Sequence, residues 1–164
     1  MQLKNIMNPI DLLNQLNVPC NLGAIDWHVD AGHAAIYPPA TDEMIRWAET
    51  RMQQKIPQEY CSILGATNGL FFSALTLFGI PILFKSNLIN RRELQPLDIT
   101  EANLEWRYED GKHSNAEWLA IGCLEEYDSN TYLFMDATGV VYQILGENCR
   151  TVSLGDIFCE LANA

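Results

Sequence analysis

Residues 41–69 read as two helices set end to end, and beyond position 69 the apolar period changes from helical to extended. That switch excludes both an all-helical bundle and an all-strand sandwich. Thr41 is placed to cap the first helix, with Asp42 and Glu43 at the positive end of its dipole. Met44, Ile45, Trp47, Ala48 and Met52 fall in an arc of about 160° at helical spacing. Arg46, Glu49, Thr50 and Gln53 lie opposite, and Arg51 is out of phase. Pro57 opens the second helix, where Tyr60, Ile63, Leu64 and Thr67 recur at helical intervals. Asn68-Gly69 ends it, because glycine tolerates the left-handed conformation there. FFSALTLF, 71–78, then reads as one strand.

Strand character returns at 118–124 and 131–135. Asp136-Ala137-Thr138-Gly139 reads as a tight hairpin loop, with 140–145 as the return strand. Ser153 caps a closing helix, with Asp156 as its capping-box partner and Leu154, Ile157, Phe158 and Leu161 as its stripe. At the other end, Asn8-Pro9 opens a short helix with Ile10, Leu13 and Leu16 inward. Gly23, Gly32, Pro38 and Pro39 break regular structure between that helix and position 40. Residues 85–117 read as polar and irregular, with a short helix near 86–93. Strands joined by short turns are antiparallel. With helices gathered at both ends, the expected class is α+β: a central, mainly antiparallel sheet with helices packed on it. The 164 residues amount to a single domain, 1–164, able to bury a core without disulfide or metal.

ATDEMIRWAETRMQQKIPQEYCSILGATNG, 40–69, resembles the opening signature of the SUKH superfamily, which includes yeast cell-wall synthesis regulators and bacterial toxin-immunity proteins. The matching positions are Glu49, Ile56, Pro57, Tyr60, Ile63, Leu64, Asn68 and Gly69. WLAIGCLEEYDSNTYLFMDATGVVYQI resembles the later pattern through Ile121, Gly122, Tyr132, Asp136, Gly139, Val141 and Tyr142, and the closing segment resembles the terminal helix. Residues 41–162 form the family-like core, and 1–35, without a counterpart, read as an N-terminal extension. The resemblance implies the α+β fold and, in bacteria, a non-enzymatic protein that binds and neutralises a cognate toxin. Each signature residue also has a plain folding role, so the signature does not mark a binding site.

Ten Lys and Arg against 21 Asp and Glu give a net charge of −11. So acidic a chain lacks the cationic groove that nucleic acid requires and is repelled by anionic lipid. The most apolar window, 69–84, is broken by Gly79 and Pro81 and is too short for a bilayer span. MQLKN lacks the start of a secretory signal, and five cysteines without a CxxC pair read as free thiols of a cytoplasmic protein. Asp26, His28, Asp30 and His33 in DWHVDAGH are the residue types that bind metals, at a spacing that matches no strong motif; a solvated loop also accounts for them. His113 reads as exposed. No GxSxG elbow or glycine-rich phosphate loop is present, so no cofactor is expected.

The acid is concentrated. Positions 93–136 hold eleven acidic residues against Arg107 and Lys112. Aromatics amid like charge suit an interface, the rings anchoring and the charges steering a basic partner. The candidate contact residues are Glu101, Glu105, Trp106, Tyr108, Glu109, Asp110, Glu125, Glu126, Tyr127 and Asp128. A solvated acidic surface over core aromatics fits the same pattern, and Trp118, at the start of a strand, is left to the core. The expected function is a non-enzymatic protein-binding module, an immunity protein for a basic toxin such as a nuclease. The alternatives are a regulatory scaffold without a toxin, or a small metal-dependent enzyme using Asp26, His28, Asp30 and His33.

Overall fold

In the computed structural model, residues 8–24, 29–82, 95–109, 115–126 and 129–164 are described. They form an α+β domain with an eight-stranded sheet whose spatial order follows the chain. The strands are β1 (Cys20–Leu22), β2 (Ala34–Ile36), β3 (Leu70–Phe72), β4 (Leu75–Leu77), β5 (Leu119–Glu126), β6 (Ser129–Met135), β7 (Val141–Leu145) and β8 (Asn148–Val152). β1 and β2 are parallel, and every later neighbour is antiparallel. Five helices accompany them among the described residues: α1 (Pro9–Gln15), α2 (Asp42–Met52), α3 (Gln58–Ala66), α4 (99–109) and α5 (Leu154–Ala162). The stretch that reads as an N-terminal extension supplies α1, β1 and part of β2, and Leu13 is fully buried in the main core. The expected helix near 86–93 and His113 lie outside the described residues.

The three N-caps each accept backbone amides, while the reciprocal bond from the Asp156 carboxylate to the Ser153 amide, expected of a capping box, is not formed. Asn8 accepts from the amides of Ile10 and Asp11, Thr41 from that of Met44, and Ser153 from that of Asp156. The reading of 71–78 as one strand is corrected: it is a hairpin, β3 and β4 joined through Ser73-Ala74, with Ser73 at φ 55°. Every residue of the two strands is buried except the partly exposed Thr76, so alternation does not reveal the reversal, and the turn contains neither glycine nor proline.

Register places Leu70, Phe72, Leu75, Leu77, Leu124, Leu133, Met135 and Val141 on one face of the sheet. α3 and α5 cover it: Phe158 stacks on Phe72 at 5.9 Å, and the Tyr60 hydroxyl reaches the carbonyls of Phe78 and Ile121. The opposite face carries Phe71, Tyr132, Phe134 and Tyr142, with Tyr142 stacked on Trp118 at 4.0 Å.

The residues that carry the family resemblance hold these layers together. The Glu49 carboxylate accepts the Ile56 amide at 2.9 Å, fixing the joint between α2 and α3. Asn68 clamps Ile80, its Oδ1 accepting the amide and its Nδ2 donating to the carbonyl, both at 2.7 Å. Gly69 adopts φ 82° next to the β4 backbone, where a Cβ would stand 2.8 Å from the Leu77 carbonyl oxygen.

Asp136 organises the β6–β7 turn, with Gly139 at φ 90°. Burial pushes its carboxyl up. The Thr138 and Tyr142 hydroxyls and the Val140 and Thr138 amides outweigh that and hold it below the usual carboxylate range. A carboxylate whose folded pKa is depressed stabilises the fold above its unfolded pKa, and that stabilisation fades as pH falls through the folded value. Asp136→Asn is therefore expected to be less stable than the parent at pH 7, with the gap closing below about pH 4. Thermal unfolding across that range measures it, and a gap independent of pH contradicts the assignment.

Candidate acidic interface

The acidic segment is built on α4. Asp98 caps it, accepting from the Thr100 amide at 2.7 Å and the Thr100 hydroxyl at 2.6 Å. An α turn, Ile99–Glu101, leads into a π segment, Ala102–Trp106, and a closing α turn, Arg107–Glu109. The wider π turn aims Asn103 and Arg107 inward together. The Asn103 amide clamps Ala120 of β5: Oδ1 accepts its N–H at 2.8 Å, and Nδ2 donates to its carbonyl at 2.9 Å and to that of Ile99 at 2.9 Å.

Arg107 is 3 % exposed. It donates to Asn103 Oδ1 and to the carbonyls of Trp118 and Asn115 at 3.0, 2.7 and 3.0 Å, and its guanidinium lies over the Phe134 ring at 4.9 Å. Burial lowers its pKa. The one described cation of the acidic segment is thus turned into the protein.

The outward side of α4 carries Glu101, Glu105 and Glu109, all exposed, at intervals of four residues. Beside them stand Leu104 and Tyr108, 44% and 56% exposed. Three carboxylates and two apolar groups on one helical face can attract a basic surface and then exclude water from the contact. A groove of about 380 Å³ runs from Leu104 and Tyr108 toward Gln53 and Gln54 at the end of α2.

The other predicted contact residues are placed differently. Trp106 is half-buried and packs edge-on against Phe78 at 5.9 Å, so it anchors α4 to the core. Glu125 is exposed, but it lies five residues beyond the Ala120 clamp, about 16 Å along β5. It therefore belongs to a separate acidic end of the sheet. Glu126 shares that end of β5. Asp110, Tyr127 and Asp128 lie outside the described residues. Leu104 completes the α4 face without having been singled out by the sequence. Its signal was its interval of four from Tyr108, which has meaning only once a helix is recognised there.

Of the metal-type constellation, Asp26 and His28 lie outside the described residues. His33 Nδ1 faces the Asn21 amide at 3.2 Å, and the His33 N–H closes a turn onto the Asp30 carbonyl. Among the described residues no three His, Cys, Asp or Glu side chains are grouped to hold a metal ion. All five cysteines are free, with Cys149 exposed. Among the described residues no helix is long and apolar enough to cross a membrane. Comparison with family models, curated proteins and solved structures gives no match to this chain.

Proposed function

We propose that this chain is a non-enzymatic protein-binding module of the immunity type, which neutralises a basic protein toxin, such as a nuclease, through the outer face of α4. The observation that carries the reading is the row Glu101, Glu105 and Glu109 interleaved with exposed Leu104 and Tyr108, while Arg107 is withdrawn. The net charge of −11 adds long-range attraction for a cationic partner. The α+β sheet architecture agrees with what the SUKH resemblance implies.

The test begins with capture of the stoichiometric partner from source cells and its expression alone and with this chain. The proposal expects a basic partner that arrests growth unless this chain is present. Reversing Glu101, Glu105 and Glu109 together to lysine is expected to weaken binding about a hundredfold, mainly through slower association, and to reduce its salt dependence. Unchanged affinity would remove α4 as the contact surface. A harmless partner bound at the same face would replace the immunity role with that of a regulatory scaffold.

A further inference from the structure

β8 ends the sheet, and four of its five residues are exposed. Strand edges are usually guarded by proline, lysine or a covering segment. Asn148–Val152 contains neither residue, and its one charged side chain, Arg150, is occupied by Gln143 Oε1 at 2.7 and 3.0 Å.

The direction of the free backbone groups is set by the hairpin. Gly146-Glu147 is a two-residue turn, which makes Leu145 and Asn148 a hydrogen-bonded pair. Alternation then makes Gln143–Arg150 and Val141–Val152 hydrogen-bonded pairs as well. The N–H and C=O groups of Cys149 and Thr151 therefore point away from β7.

A groove of about 500 Å³ adjoins the end of this edge, between α3 and the start of α5. Its floor is apolar, with Ile63, Met135, Val141 and Val152, and the Glu59 carboxylate stands at its wall. Met135, Val141 and Val152 lie side by side across three strands. A residue paired with Val152 from outside would extend that row and direct its side chain toward the groove. The residue two places along would share the same face.

We propose that β8 and this groove bind an extended polypeptide segment as a ninth strand, one that places an aliphatic side chain over the groove and a lysine or arginine toward Glu59. The main-chain edge supplies affinity, and the groove with its carboxylate selects the side chains. The edge and the groove are independent observations that converge on one occupant, and the acidity of the chain favours a basic one. This site lies apart from α4 and does not depend on the function proposed for that face.

The probe is the peptide acetyl-Thr-Val-Thr-Lys-Thr-Val-Thr-amide at millimolar concentration, with amide hydrogen exchange of the intact chain as the readout. The expected result is slowed exchange at Cys149 and Thr151. A peptide with glutamate in place of lysine is expected to bind about tenfold more weakly, as is Glu59→Gln toward the lysine peptide. Thr151→Pro removes an outward N–H and no bond to β7, and it is also expected to weaken binding about tenfold. Absence of protection at both amides overturns the proposal, as does equal affinity for the two peptides. Protection of the same amides by self-association of the chain alone would assign the edge to a second copy and overturn it too.

Discussion

Asn103→Ala is expected to lower the free energy of unfolding by about 3–4 kcal/mol. Its side-chain amide serves four partners: both backbone groups of Ala120, the Ile99 carbonyl and the Arg107 guanidinium. Ala120 is fully buried, so water cannot replace the lost bonds, and each unpaired buried group costs about 1–3 kcal/mol. Arg107 loses one of its hydrogen bonds at the same time. Asn103→Asp keeps an acceptor for the Ala120 amide and for Arg107 but sets a buried oxygen acceptor against the Ile99 and Ala120 carbonyls, so it too is expected to be less stable than the parent. Urea denaturation measures both. A loss below about 1 kcal/mol in the alanine variant would mean that α4 is not held to the sheet by this amide.

Gly122→Ala is expected to cost about 3 kcal/mol or more, for a steric reason. A Cβ at Gly122 would stand 2.2 Å from the Thr76 carbonyl oxygen and 3.1 Å from Leu77 Cδ2. The first contact is backbone, so no rotamer change relieves it, and β4 and β5 must part. The strand already carries a register irregularity between Ala120 and Gly122. Gly146→Ala is the matched control: its φ is 63° with nothing within 4 Å, and it should lose only about 1 kcal/mol of left-handed strain. Equal losses in the two variants, read from urea midpoints, would show that the β4–β5 approach is not tight.

These two sites mark where the sequence is hard to read. α1, α2 and α5 announce themselves through caps and apolar stripes, α3 through its stripe and opening proline although it ends at Ala66, before the Asn68-Gly69 pair expected to close it, and the β6–β7 turn through its Asp-to-Gly loop. α4 does not, because its inward side mixes polar with apolar residues. Thr100, Asn103 and Arg107 face inward, while Leu104 and Tyr108 face out. The apolar stripe of Ile99, Ala102 and Trp106 is interrupted by these polar residues, and the π segment also shifts the period. β8 is hidden because its exposed residues carry no alternation. β1 and β2 are only three residues each. For the candidate interface, charge counting finds the carboxylates of α4 but cannot tell that Arg107 turns inward, that Trp106 serves the core, or that Glu125 stands on a distant strand end. Those facts depend on tertiary pairing.

Asn68 and Asn103 each treat a backbone amide as a strand would, and Gln95 does the same at Ile82, with bonds of 2.9 and 3.0 Å. For Asn68 this has a chemical corollary. Asn-Gly is the dipeptide most prone to deamidation, in which the glycine nitrogen attacks the side-chain carbonyl carbon and ammonia leaves. In the folded protein that nitrogen donates to the Thr67 carbonyl at 2.9 Å, and the Asn68 amide is held at both ends and fully buried. The native state thereby shields its own weakest bond, and each unfolding episode exposes it. A molecule that deamidates while open returns with an acid where Ile80 requires a donor, so the lifetime of this chain is coupled to how seldom it unfolds.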